Sequence, residues 1–525
     1  MGPVVSEEVP VAHSPGADGR AVTRTSHVLI KNSVANVITG LSTALLALAL
    51  PPVLARNLPP AEFGTWALIL QVAGYTALLN LGMQGAVSRY VSYYLARDDR
   101  HSADAFVSTA FVMLCAAALV AAIAVVVAVG LLGRLFPHIP PTLLGPAQLS
   151  LCMVGVVLAL GLPVTVFNGV FAGLQRNEII AVILGSTRLI LTLLLALGAL
   201  VRHTLVPLAI IYTIVNLVSY GVTWAWYRRM APARMALSTA SGPALKEIWH
   251  YCGSVMIWSV AMLLISGADT AIVGRVDFQR VAAYSACVGC VAVLAGFQQA
   301  LFSPLLQVGA AHYATGNTAD LDRMLIRATR LGTLILLAPV AVLILFAPDI
   351  LRIWLGATYA QQATLVFPLL MIGHAMRLIA MPYATLLLAT TQHTRVIIAP
   401  VMEGLTNVIV AVLAGERFGA SGVACGVIAG AVVGQAMNYF YNLPRTHPRR
   451  ELRGELLRRS IIVPTACFLP AAVGIAAQWN GMLGAQSIIL RSVLLLAALA
   501  LAWGIAVEPH EKELLLRYFR RSTPR

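Results

Sequence analysis

Fourteen stretches of this chain, the first at Val28–Leu54 and the last at Ser487–Val507, are almost wholly apolar and run for roughly 20 to 30 residues. At about 1.5 Å per residue, each is long enough as a helix to cross the roughly 30 Å hydrocarbon core of a bilayer. In that solvent the backbone must satisfy its own hydrogen bonds. Helices do so within one segment, whereas barrel strands would alternate in polarity over about ten residues. With 59% hydrophobic and 11% charged residues among 525, the chain is too apolar for a soluble globular protein. The expected fold class is an all-α polytopic membrane protein with about fourteen transmembrane helices.

The segments repeat. A shift of 219 positions lays Arg56 on Arg275, Tyr94 on Tyr313, Pro163 on Pro382, Arg176 on Arg395 and Tyr220 on Tyr439, without a gap. Matches of less common residues at one offset imply two copies of a six-helix unit. The expected organisation is a disordered cytoplasmic tail at 1–27, a first lobe at 28–228, a cytoplasmic linker at 229–247 and a second lobe at 248–443. A basic linker at 444–460, two extra helices within 461–507 and a cytoplasmic tail at 508–525 complete it. An even number of spans per copy inserts both copies the same way up, so the lobes are related by an axis along the membrane normal.

The net charge of +15 follows from topology rather than from nucleic-acid binding. With the N-terminus inside, the cytoplasmic segments carry 25 Arg and Lys and the outer loops carry seven. That asymmetry places both termini in the cytoplasm. The seven Cys are scattered in apolar runs and suggest neither disulfides nor a metal site. Asp320-Leu321-Asp322 has the look of a metal-binding carboxylate pair, but Asp before a helix is an ordinary cap. No resident cofactor or metal is expected.

Four Arg remain inside or at the edges of spans: Arg89, Arg188, Arg377 and Arg491. An ionisable side chain at mid-bilayer costs a few kcal/mol or more, so one that is kept faces a bundle interior or a wet cavity. Arg188 and Arg377 are the deepest and are the first candidates for a cationic cavity, with structural pairing to an acid or a carbonyl as the alternative. Arg89 stands toward the cytoplasmic end of its helix, within reach of headgroups or of an inward-facing mouth. Arg491, near an outer helix end, reads as snorkelling. Asp269 and Glu403 are candidates to couple transport to a proton or cation, or else to neutralise an Arg. Pro163 and Pro382, at equivalent places in the two copies, are hinge candidates or simple kinks.

The motifs carry a resemblance. In the first copy they are Arg56 with Phe63-Gly64-x-Trp66, Leu79-Asn80-Leu81-Gly82 and Arg89-Tyr90-Val91. In the second they are Asp269-x-x-Ile272-Val273-Gly274-Arg275, Ala283-Tyr284-Ser285 and Trp354-Leu355-Gly356. Together they resemble bacterial polysaccharide flippases of the multidrug/oligosaccharidyl-lipid/polysaccharide exporter superfamily. One departure is Asn80, where that family more often has Asp. The resemblance implies two six-helix lobes that open alternately and a transporter rather than an enzyme, located in the bacterial inner membrane. Its substrate would be undecaprenyl-diphosphate-linked oligosaccharide, moved from the inner to the outer leaflet. Implied partners are membrane lipids and polysaccharide polymerase and chain-length machinery; nucleic acid is not among them. A lipid diphosphate is anionic, and the planar guanidinium suits phosphate oxygens. Two alternatives stay open. A multidrug exporter of the same fold would show an acidic cavity, and a membrane polymerase or ligase would need a larger outer domain.

Overall fold

The computed structural model describes residues 42–230, 242–447, 450–479 and 488–507, together with Gly40. The expected tails at 1–27 and 508–525, residues 231–241 of the first linker and 448–449 of the second lie outside the described residues. Within them every regular element is helical.

In chain order the long helices are α1 (42–57), α2 (Pro60–Ala96), α3 (Arg100–Leu135), α4 (Pro141–Gly173), α5 (Asn177–Arg202), α6 (Leu205–Met230) and α7 (Gly242–Ser266, continued by Asp269–Val276). The rest are α8 (Phe278–Ala314), α9 (Thr318–Leu345), α10 (Val366–Ala389), α11 (398–418), α12 (420–446), α13 (Glu451–Ala477) and α14 (Ile488–Ala506). Two pairs of helix starts fall one residue short of the expected gapless shift of 219. Pro60 and Phe278 open α2 and α8, Arg100 and Thr318 open α3 and α9, and both pairs stand 218 positions apart. The caps recur as well: Asp99 accepts from the Ser102 N–H at 3.0 Å and Asn317 from the Asp320 N–H at 3.2 Å. Asp320 is therefore a first-turn residue, held by Asn317 and Arg323, and Asp322 faces His447 at 3.8 Å.

Among the described residues, eleven helices are long and apolar enough to span a membrane, or twelve if the two parts of α7, bent by 41°, count as one. The expected fourteen and this count part at two places. The start of α1 lies outside the described residues. The 49-residue helix Ile398–Thr446 contains Gly419 at φ 61°, ψ −142°, where the chain doubles back. From there Gly422, Gly426, Gly430 and Gly434 face α11, and a Cβ at 426 would lie 2.7 Å from the Ala411 nitrogen. This small-residue stripe lets α11 and α12 pack backbone to backbone. Asp277 pins the tip of the hairpin, accepting from the Ala420 N–H at 3.1 Å and from Arg280 at 2.7 Å.

The hinge candidates sit in unlike settings. Pro163 lies inside continuous α4, whereas α10 breaks at Ala380 just before Pro382. Proline cannot donate to the carbonyl four residues back. The buried Gln298 side chain does so instead, reaching the Leu378 carbonyl at 2.6 Å.

At one end of the molecule the two lobes share a single apolar core, in which Leu54, Trp66 and Leu151 join Tyr284, Leu351 and Phe367. Bonds cross there too: Arg56 donates to the Ile353 carbonyl at 2.9 Å, Trp354 to the Leu48 carbonyl at 2.8 Å, and Phe63 meets Tyr359 edge-on. At the opposite end, which carries Arg97, Arg176 and Arg323, the cores are separate. One groups Val91, Phe106 and Phe171 with Ile248 and the other groups Leu321, Tyr383, Leu443 and Leu452. The lobes thus share one core at the first end, whereas at the basic end the first-lobe core takes in Ile248 and Cys252 of α7 and the other core lies apart from it. Arg491 does not snorkel: it is 2% exposed and bonds Asp349 on the short helix Ala347–Leu355, which holds α14 to the second lobe.

Candidate transport site

The second lobe encloses a polar cluster built on two broken helices. Because α7 breaks at Gly267, the carbonyls of Leu264 and Ile265 lose their helical donors. The Asn407 side-chain amide replaces them, lying 3.0 Å from each of these carbonyls, and 3.0 Å from the Asp269 carboxylate. Asp269 opens the second part of α7, where a helix N-terminus favours negative charge, and is 3% exposed. One turn before Asn407, Glu403 accepts from Arg377 Nε at 2.6 Å, and both side chains are about nine-tenths buried, at 14% and 13% exposed. Arg377 comes from the last turn of the first part of α10.

Two groups in this cluster are left over. Arg377 Nη1 and Nη2 are buried and have no hydrogen-bond partner, and the same holds for Asn407 Oδ1. Arg377 and Glu403 line a cavity of about 460 Å³ between α7, α8, α10, α11 and α12, with Gln299, Gln435 and Asn438. Two carboxylates and one guanidinium make the cluster acidic when all are charged. Arg377, expected as a cavity cation, is thus already paired on one edge, and Asp269 and Glu403 are brought within one helical turn of each other's partners.

The first lobe differs. Arg188 on α5 is half-buried and donates to the Thr43 hydroxyl on α1, a neighbour that no spacing argument had picked out. Arg89 is exposed on α2 beside the Tyr90 ring at 6.0 Å. Between them α2 is interrupted by a 3-10 stretch, Tyr75–Asn80, and by positive φ at Leu81 and Gly82. The Thr165 hydroxyl on α4 donates to Asn80 at 3.2 Å, two residues after Pro163. Across the lobe seam Gln71 and Tyr75 both donate to the Gly267 carbonyl, at 2.6 and 2.8 Å, tying α2 to the break in α7. No spacing argument singled these two out, although both are polar residues in an apolar run.

No group of three or more His, Cys, Asp or Glu side chains that would hold a metal occurs among the described residues.

Known proteins share this architecture. The polysaccharide biosynthesis protein family matches residues 29–306. The uncharacterized membrane protein EpsK of Bacillus subtilis (strain 168) is 23% identical over 391 residues, covering 73% of this chain and 76% of that one. Among solved structures, the lipid II flippase MurJ in an inward closed conformation superposes with a TM-score of 0.64 at 12% identity, over 90% of this chain and 97% of that one. An inward-facing multidrug resistance MATE family transporter of the MOP superfamily gives 0.62 at 16% identity, over 79% and 98%. These structural likenesses show the fold.

Proposed function

Since the chain belongs to the polysaccharide biosynthesis protein family, we propose that it is a flippase. Its substrate is undecaprenyl-diphosphate-linked oligosaccharide, carried from the inner to the outer leaflet of the bacterial cytoplasmic membrane for exopolysaccharide, capsule or O-antigen synthesis. Both termini and the basic end face the cytoplasm, following the excess of Arg and Lys in those segments. Substrate then enters from that side, where α7 packs into the first-lobe core and the other core lies apart from it.

The observation that carries this reading is Arg377, with one edge held by Glu403 and two terminal nitrogens buried without a partner in a cavity wall. Unsatisfied guanidinium N–H groups call for an anion, and a diphosphate supplies one. Glu403 competes for the same group. A proton or Na⁺ taken up by Glu403 or Asp269 releases Arg377 toward phosphate, and its loss restores the ion pair. Arg188 and Arg89 hold the diphosphate from the first lobe, and Pro163 and Pro382 take up the bend as the lobes rock. A polysaccharide polymerase and chain-length machinery receive the product.

The acidic balance of the second-lobe cluster favours one competing reading, a cation-exporting multidrug transporter. Proteoliposomes decide between them. With lipid-linked oligosaccharide inside, the protein should raise the fraction reached by an external lectin above that of empty liposomes and leave an ethidium gradient untouched. Ethidium transport without lectin accessibility would overturn the flippase reading.

A further inference from the structure

A second cavity, of about 440 Å³, opens on the surface of the second lobe between α8 and α9, away from the Arg377 cluster. Its apolar wall consists of Leu301, Leu305 and Val308 on α8 and Leu331 on α9, and Leu301, Val308 and Leu331 are each more than 40% exposed. At the basic end the wall changes character, to His312, Asp320, Arg323 and Arg327. Arg323 is paired with Asp320 at 2.5 Å. Arg327 is exposed and has no ion pair among the described residues. It stands nine residues into α9, about 13 Å along the axis from Thr318 and one turn before the exposed Leu331. A guanidinium without an ion pair at the end of an apolar cleft suits an anion whose apolar part fills the cleft. The repeat does not impose it: aligned by the helix caps Asp99 and Asn317, the first copy has Ala105 and Thr109 in place of Arg323 and Arg327.

The geometry points to a binding site for an anionic glycerophospholipid of the basic-end leaflet, with phosphate on Arg327 and an acyl chain along Leu305 and Leu331. Charge complementarity selects the occupant. A zwitterionic lipid brings its own cation, which Arg327 repels, and a soluble phosphate leaves the apolar length of the cleft unfilled. Arg323, neutralised by Asp320, frames the phosphate, and Arg327 supplies the net charge. The site is independent of what the central cavity transports.

The test is native mass spectrometry of the detergent-purified full chain, titrated with phosphatidylglycerol or phosphatidylcholine. The wild type should retain one phosphatidylglycerol at least about tenfold more tightly than phosphatidylcholine. Arg327→Ala should remove that preference and Arg327→Lys should keep most of it. Leu305→Trp, which fills the cleft and leaves both charges, should weaken retention as well. Arg228→Ala, at the same end of the first lobe, should change nothing. Equal retention of the two lipids, or wild-type retention by both Arg327→Ala and Leu305→Trp, overturns the site. So does Arg327-dependent displacement of phosphatidylglycerol by undecaprenyl diphosphate at lower concentration, which would make the cleft a station for the transported lipid.

Discussion

The two lobes place different chemistry on one scaffold. Asp269, Arg377 and Glu403 of the second lobe fall, 219 positions earlier, on Leu50, Leu158 and Leu184. Asn407 falls on Arg188. One lobe therefore fills with leucine the positions where the other buries two carboxylates and a guanidinium, and Arg188 of the first lobe stands where the second has an amide that braces a broken helix. The packing differs to match. The second lobe joins α11 to α12 through four glycines, and Gly430 and Gly434 lie against Arg377 and Glu403. The first lobe has Ile211 and Val215 at the same two places. The two copies thus differ in the charges they bury, and on the reading proposed above the second-lobe cluster takes the coupling ion while Arg377 and Arg188 meet the diphosphate from either lobe.

The largest effect is expected from Glu403→Ala. It strands the Arg377 guanidinium in a buried site, at a cost of about 3–5 kcal/mol, read as a lowered unfolding temperature in detergent. Converting the cluster to its first-lobe pattern, with Asp269→Leu, Arg377→Leu and Glu403→Leu together, should recover most of that stability. Apolar replacement of a whole buried ion cluster is typically neutral or stabilising by about 1–4 kcal/mol. The triple variant should nevertheless fail to transport. If it unfolds as readily as Glu403→Ala, the ion pair stabilises the fold and the comparison with leucine is wrong.

A smaller loss is expected from Gly430→Leu. A Cβ there would meet Asn407 Cβ at 2.9 Å and Arg377 Nη2 at 3.1 Å, and overpacking of this kind costs about 1–3 kcal/mol. In the first lobe Ile211→Leu, at the equivalent place, should be near neutral. Equal effects would mean that the two helix pairs pack alike.

The smallest is Trp354→Phe, which removes the bond to the Leu48 carbonyl at 2.8 Å and should cost about 0.5–1.5 kcal/mol. Because this bond ties the lobes at the fused end, the variant should also raise accessibility of an introduced Cys at Phe63 to a water-soluble thiol reagent. Unchanged labelling would show that the shared apolar core alone closes that end.

The helical membrane scaffold was legible in the sequence because hydrophobic length survives any detail of packing, whereas the gapless 219 shift misses by one residue where α2, α8, α3 and α9 begin. Arg377 and Glu403 were legible as costly residues in apolar helices for which an Arg–acid pair was one alternative, but which acid pairs with which Arg was not, since the contact joins α10 to α11 across 26 residues. Asn407 was hidden for a similar reason: it acts on carbonyls freed by a break at Gly267, and nothing in the local pattern distinguishes a broken span from a straight one. The α11–α12 hairpin had a signal, glycine at every fourth position from Gly422 to Gly434. Arg491 read as snorkelling because its partner, Asp349, lies on a short helix outside the long apolar runs.

The division of charges is tested most directly by equilibrium binding of undecaprenyl diphosphate to the purified protein, compared among wild type, Arg188→Ala and Glu403→Gln. Loss of one charge-assisted contact is worth about 1.5–3 kcal/mol, so Arg188→Ala should bind about 10- to 100-fold more weakly. Glu403→Gln, which releases Arg377 without emptying the site, should bind more tightly than wild type. Wild-type affinity in Arg188→Ala, together with unchanged or weaker binding in Glu403→Gln, would contradict the account: neither arginine would then hold the diphosphate.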